Sequence, residues 1–419
     1  MTRCTLALGS ALLFASTLSA NPLLIEADAE TSPVIETTLE QSRVINLAIC
    51  LDTSGSMDGL IDAARAKLWE IVNDLALAEP TPDLRVALLT FGNNGHDAEN
   101  GWVEIQTDFT ADLDLVSQRL FGMSTNGGEE YVGRVVHRAV NELTWHHSAD
   151  ALKIMIVAGN ESADQDPAVS FRDACRAAIS HDVMVNSIYC GNPADDLAAA
   201  WRDVAILADG KYATIDHNEE TIVISTPFDA DLTRLSSELN GTYLSYTPDG
   251  KAAQQNQWMQ DSNAAELDDS VAAARAQTKC AGLYVCNWDL VTQLEQDSEL
   301  DLSTVDRAQL PEAYRELSDK DLLARLHEML AQRNTIRASM QELSTQRDAF
   351  VVAERARQAT DGKANFDFVI RQAIREQAQS RGFAYPGAPE PVVERVIETF
   401  EGPLSEETTI LPITSGDGC

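Results

Sequence analysis

Positive charge is what this 419-residue chain has least of: 31 lysines and arginines stand against 66 aspartates and glutamates, a formal balance of −35. That deficit argues against nucleic acid or an anionic membrane surface as partner, because clustered lysine and arginine supply the affinity for both. Cations, basic partners or plain solubility remain as uses for the acidity. Long apolar runs are also missing. After the first twenty residues no stretch reaches the roughly 18 apolar residues of a membrane-spanning helix. Gly127-Gly128 lacks the G-x-G-x-x-G spacing of a dinucleotide site, and no Walker motif occurs. No G-x-S-x-G presents a nucleophile, no histidine is placed as its base, and no Cys/His spacing suggests zinc. Nothing in the pattern asks for catalysis, and the chain is expected not to be an enzyme.

What is present begins with an address. Residues 1–20 read as a secretory signal, with Arg3, an apolar core from about Thr5 to Leu18, and the small pair Ser19-Ala20. An exported protein, periplasmic or extracellular, is expected. Cys4 lies inside the signal, leaving Cys50, Cys175, Cys190, Cys280, Cys286 and Cys419. An even count in an oxidising compartment invites disulfides. Cys280 and Cys286 are the pair expected to join, while Cys50 reads as a small apolar residue of a buried strand.

That strand, Val44 to Leu51, is a near-continuous apolar run broken only by Asn46, as a strand covered on both faces requires. Directly after it come Asp52-Thr53-Ser54-Gly55-Ser56 and an amphipathic stretch, 59–78, that reads as a helix. A turn at the carboxyl end of a buried strand is where open α/β sheets place ligands. One carboxylate and two hydroxyls at alternate positions suit a hard cation such as Mg²⁺. The bland alternative is a Ser/Asp-rich helix N-cap.

These residues resemble the metal-ion-dependent adhesion site of von Willebrand factor A domains, and the wider stretch is similar to secreted bacterial proteins carrying that domain. The resemblance implies a site drawn from three loops. The first is intact as Asp52, Ser54 and Ser56. In the second, Glu129 stands where threonine is usual, with Thr125 four residues earlier. In the third, Ala158-Gly159-Asn160 replaces Thr-Asp-Gly, so Gly159 removes a carboxylate. The implied metal ligands are Asp52, Ser54, Ser56, Thr125 and Glu129, with Glu130, Asn160, Glu161 and Asp164 as substitutes for the lost donors. The cofactor is Mg²⁺, or Mn²⁺ or Ca²⁺; the other reading keeps the fold without metal.

Further apolar runs at 84–91, 152–158 and 183–190 alternate with helical stretches near 111–121, 131–145, 168–180 and 194–207, and Gly210 to Ile215 closes the series. This predicts an α/β fold, a doubly wound, mostly parallel sheet with right-handed crossovers. The half-exposed alternation of Trp102 to Gln106 predicts an antiparallel edge. The order expected is signal 1–20, flexible lead-in 21–42, sheet domain 43–225, mixed extension 226–300, helical region 301–385 and mostly disordered tail 386–419. Within 318–358, Leu322, Leu326, Met329, Ile336, Met340, Leu343 and Phe350 follow a 4-3 spacing, with Arg333 and Arg347 in two seam slots. That coiled-coil-like helix is expected to pack on its own domain, to self-associate through 318–358, or to fold against Phe366 to Ala378 as a hairpin.

The function expected is adhesion-type protein–protein interaction, in which the metal-site face engages a carboxylate or a loop of a protein partner. The alternative is a periplasmic structural or assembly accessory binding through its C-terminal helical region, with the sheet domain as a metal-free scaffold.

Overall fold

β1 (Val44–Asp52) is the strand on which the rest of the sheet is laid. Eight of its nine residues are buried, which its apolar sequence makes possible. It pairs in parallel with β2 (Asp83–Phe91) on one side and β4 (Leu152–Gly159) on the other. β5 (Met184–Tyr189) and β6 (Tyr212–Thr214) continue in parallel. β3 (Glu104–Thr110) closes the opposite edge antiparallel to β2, so the order is β3-β2-β1-β4-β5-β6. The computed structural model describes residues 43–215, 224–359 and 366–386. The expected signal, the lead-in, the tail beyond 386, Cys4 and Cys419 lie outside the described residues.

Helices α1 (Asp58–Ala76) and α2 (Leu113–Phe121) pack on one face of the sheet around Leu47, Ile49, Trp69 and Val116. Helices α3 (Val132–Glu142), α4 (Phe171–Ser180) and α5 (Ala198–Ile206) cover the other around Cys50, Val136, Phe171 and Trp201. The sheet is doubly wound as expected. Strand order reverses beside β1, which puts a crevice above its carboxyl end.

The C-terminal part forms an outer layer over α1 and α2. It comprises α6 (Asp229–Asn240), α7 (Gly250–Leu267), α8 (Asp269–Cys280), α9 (Leu290–Gln296), the one-turn α10 (Glu312–Arg315), α11 (Asp319–Ala359) and α12 (Phe366–Ser380). Helix α8 lies on α1, and α7 on α2. Helices α7 and α8 are separate, parted at Asp268. The Asp268 side chain caps α8 by accepting the Ser270 N–H at 2.8 Å. Between the helices of this layer, Ser245 forms an isolated antiparallel bridge to Asp289.

Helix α11 is continuous over 41 residues, but its seam is not free to self-associate. Leu322, Leu326, Met329, Ile336 and Met340 are buried against this chain's own α6, α8 and α9 regions, while Phe350 is exposed. The seam arginines show why. Arg333 is completely buried and donates to Asp289 at 2.8 Å, Thr292 Oγ1 at 3.0 Å and Thr242 Oγ1 at 3.1 Å, with its guanidinium over the Tyr243 ring. Arg347 donates to Asp229 at 2.9 Å and to Gln277 at 2.8 Å. The extension thus holds a partner for each seam charge. Helix α12 is no hairpin arm. It packs on α1, β4 and β6, burying Ile370, Ile374 and Ala378 in the sheet core. Its Gln377 exchanges two 2.9 Å hydrogen bonds with Asn186 of β5.

The expected Cys280–Cys286 disulfide is absent; both are free thiols. Cys280 ends α8, and the turn after it sends Cys286 into an apolar cluster with Leu239 and Tyr243. A buried polar knot ties the layers together nearby. Arg275 of α8 donates to Asp114 of α2 at 2.7 Å and to Asp261 of α7 at 2.6 Å, and Tyr284 donates to Asp114 at 2.6 Å. Lys279 adds a 3.0 Å bond to Asp261.

Two outcomes follow from these buried ions. Arg333→Ala strands a buried carboxylate and should cost about 3–5 kcal/mol in denaturant unfolding, while Arg325→Ala, whose pair with Glu328 is exposed, should cost less than about 1 kcal/mol. Burial alone would raise the Asp261 carboxyl, but Lys279 and Arg275 outweigh it and bring it from 3.8 down to about 2. A depressed carboxyl stabilises the fold above its unfolded pKa, and the gain is lost as pH falls toward the folded value. Unfolding followed from pH 4 to pH 2 should therefore show an acid-induced loss that is smaller in Asp261→Asn by about 2 kcal/mol.

Candidate metal-binding face

Four loops meet above the carboxyl ends of β1, β2 and β4: residues 52–57, 92–97, 122–131 and 159–165. Their backbones are stitched directly. Thr53 donates its N–H to Phe91 O at 2.8 Å, Asn126 N–H reaches Thr53 O at 3.0 Å, and Asn94 N–H reaches Gly127 O at 3.0 Å. Asn93, buried, donates to Ser124 O at 3.0 Å and Thr53 O at 3.3 Å and accepts the Gly95 N–H at 2.8 Å. The contact is so close that glycine is required on both sides. A Cβ on Gly128 would stand 2.4 Å from Gly92 O. Gly92 itself has φ +72°, and a Cβ there would meet Asp52 Oδ1 and Glu130 Cγ, each at 2.9 Å.

Asp52 sits at the centre with no exposed surface. Its Oδ1 accepts the Ser54 N–H at 2.8 Å, whereas its buried Oδ2 has no hydrogen-bond partner. Burial pushes this carboxyl up to about 7 against the pull of the Ser54 backbone and hydroxyl and of the Asn160 backbone N–H, and the charge of Glu130 adds to the push. Ser54 and Ser56 hydroxyls stand 3.4 Å apart, and Asn160 Nδ2 donates to Ser56 Oγ at 2.9 Å. Neither serine is a helix cap: α1 starts after Met57 with no side-chain cap bond. The bland account of the Asp-x-Ser-x-Ser turn therefore fails, and its oxygens stay turned into the crevice.

The other expected ligands divide. Thr125 reaches the start of α1, where its hydroxyl donates to Asp58 Oδ1 at 2.5 Å. Glu129 is exposed, and its neighbour Glu130 is the residue that turns inward. Only 9% of Glu130 is accessible, and Gln165 holds it by a 3.2 Å bond from Nε2 to Oε2. Burial raises the Glu130 carboxyl too; Gln165 opposes that rise, and the Glu161 charge reinforces it. Glu161 is exposed and contributes charge, while its backbone oxygen accepts Trp201 Nε1 at 2.8 Å. Asp164 belongs elsewhere, paired with Arg172 at 2.9 Å. Asn93 and Gln165 escaped the sequence reading. Asn93 had a signal, a polar residue just past the end of a buried strand; Gln165 had none.

These residues fit a divalent hard cation. A buried carboxylate oxygen without a partner, a second carboxylate beside it, two hydroxyls and the unpartnered Asn160 Oδ1 form an all-oxygen donor set. Among the described residues no three Cys, His, Asp or Glu side chains stand together as a metal cluster, so hydroxyl and amide oxygens must share the work. Asp52, Ser54, Ser56 and Glu130 would hold the ion, which would offer a partner an electrophilic contact point.

Residues 46–209 match the family model of the von Willebrand factor type A domain. No curated protein matches the chain. Similar solved structures include proximal thread matrix protein 1 from the mussel byssus, with a zinc-occupied MIDAS motif. It is 14% identical, with 42% of this chain and 43% of that one covered and a TM-score of 0.34. A von Willebrand factor type A protein from Catenulispora acidiphila is 16% identical over 42% of this chain and 39% of that one, with a TM-score of 0.33. The pilus adhesin SpaC from Lactobacillus rhamnosus GG is 12% identical over 42% of this chain and 28% of that one, also with a TM-score of 0.33. This chain spans less than half the length of the first of these.

The loop contacts make Gly92 a sensitive position. Gly92→Ala adds a Cβ where φ is +72° and two acidic side chains press, and should cost at least about 1 kcal/mol in thermal unfolding. Gly122→Ala, with ordinary φ and its nearest contact at 3.4 Å, should stay within about 0.5 kcal/mol.

Proposed function

With residues 46–209 forming a von Willebrand factor type A domain, we propose that this chain is an exported interaction module of adhesion type, not an enzyme, that engages a protein partner through the four-loop face. Domains of this family commonly mediate protein–protein contact, and a divalent cation at this position is common among them. The observation that carries the reading is Asp52 Oδ2, a carboxylate oxygen held dry and unpartnered where four loops converge. Leaving such an atom unsatisfied is costly, and a bound cation removes the cost. Mg²⁺ is the ion proposed, with Mn²⁺ or Ca²⁺ as alternatives, and a loop of the partner bearing an oxygen donor is the contact. The accessory reading, through the helical region, finds less support, because the apolar seam of α11 is consumed within the chain. Export rests on the N-terminal twenty residues. Among the described residues no helix is long and apolar enough to cross a membrane.

Thermal unfolding of the full chain in EDTA and then in Mg²⁺, Mn²⁺ or Ca²⁺ tests the reading. An ion that binds only the folded state adds about 2.7 kcal/mol at a hundred times its Kd. The expected result is a rise in Tm of a few degrees that Asp52→Ala abolishes. A Tm indifferent to every cation, or a rise that survives in Asp52→Ala, would contradict it.

A further inference from the structure

The family pattern that this chain resembles places a carboxylate on the loop after β4, and here that position is Gly159. The space has been closed. A Cβ on Gly159 would stand 3.1 Å from Asp52 Oδ2 and 3.2 Å from the Trp201 ring, which is itself tied to Glu161 O. A different loop brings a carboxylate instead. Glu130 is pressed with Asp52 against Gly92, both lying 2.9 Å from where a Cβ on that residue would be. Gln165 fixes Glu130 from behind, donating Nε2–H to Oε2 while its Oε1 accepts the Glu130 N–H at 3.4 Å. Asp52 Oδ1 and Glu130 thus lie together beside Gly92, and two buried anions side by side raise each other's energy unless something positive lies between them.

We propose that Glu130 is the second anionic ligand of the cation site, so that a divalent hard cation is neutralised entirely from within the chain by Asp52 and Glu130. This rests on the cation reading above and deepens it. Glu130 thereby restores, from the loop before α3, the second carboxylate that Gly159 removes from the loop after β4. Glu129, exposed beside it, plays no part.

The test is calorimetry and thermal unfolding of the full chain with Mn²⁺ alone, comparing wild type with Asp52→Ala, Glu130→Gln and Glu129→Gln. Glu130→Gln keeps the shape and the bond to Gln165 while removing the charge. It is expected to weaken Mn²⁺ binding by at least about tenfold, and Glu129→Gln by less than about twofold. A second readout separates ligation from simple misfolding. In EDTA Glu130→Gln should unfold at a higher temperature than wild type, because one of two adjacent buried anions is gone. In Mn²⁺ the order should reverse. Wild-type affinity in Glu130→Gln, with binding abolished in Asp52→Ala, would overturn the role of Glu130 and leave the cation reading standing. No binding by wild type would overturn both. A lower Tm for Glu130→Gln in EDTA would also overturn the proposal, since Glu130 would then be a structural hydrogen-bond partner.

Discussion

The constraint on which this structure turns is a carboxylate kept out of water. Asp52 ends a strand buried at eight of its nine positions, and the same burial that makes β1 a good central strand removes solvent from its last side chain. Satisfying one oxygen locally, with the Ser54 N–H, forces the tight turn that starts α1. The other oxygen is left for whatever enters from the loops. Gly92, Gly128 and Gly159 follow from this. Each lets backbone approach where a side chain would displace Asp52 or its neighbours. The face is therefore rigid by construction, stitched by backbone hydrogen bonds between loops and by Asn93 at their junction.

Rigidity at the face is supported from beneath. Helix α1 carries the Asp-x-Ser-x-Ser turn at its start and is covered by α8, while α2 is held to the same layer by Asp114 meeting Arg275. Buried ion pairs are seldom the most stabilising way to fill a core, but they are exacting about geometry, since a displaced partner leaves a charge unpaired. Three such arginines, Arg275, Arg333 and Arg347, each tie together segments far apart in sequence. The outer layer is thus registered against the sheet and leaves the four-loop crown uncovered by any of these contacts.

How far the sequence could be read follows from the range of the interactions involved. β1, β2, β4 and β5 are largely apolar runs, and a run of that kind has one comfortable environment, so the doubly wound sheet was legible. The Asp52-Ser54-Ser56 turn was legible because its spacing is local. Glu129 and Glu130 were not separable, being the same residue type side by side; which one turns inward depends on Gly128 resting on Gly92 and on Gln165 arriving from another loop. The pairing of the seam arginines of α11 was not legible, because their carboxylates lie 44 and 118 positions away. Helix α12 carried no mark of its docking site, since Asn186, its buried partner, sits inside a strand that reads as apolar.

Diffraction from crystals of the full chain grown with Mn²⁺, recorded for its anomalous signal, addresses the central claim most directly. The account predicts one strong peak within the loop crown, with Asp52, Ser54, Ser56 and Glu130 supplying oxygen ligands and Gly159 contributing none. An empty crown, or an ion held by Asp52 while Glu130 stays bonded to Gln165 and turned away, would contradict it.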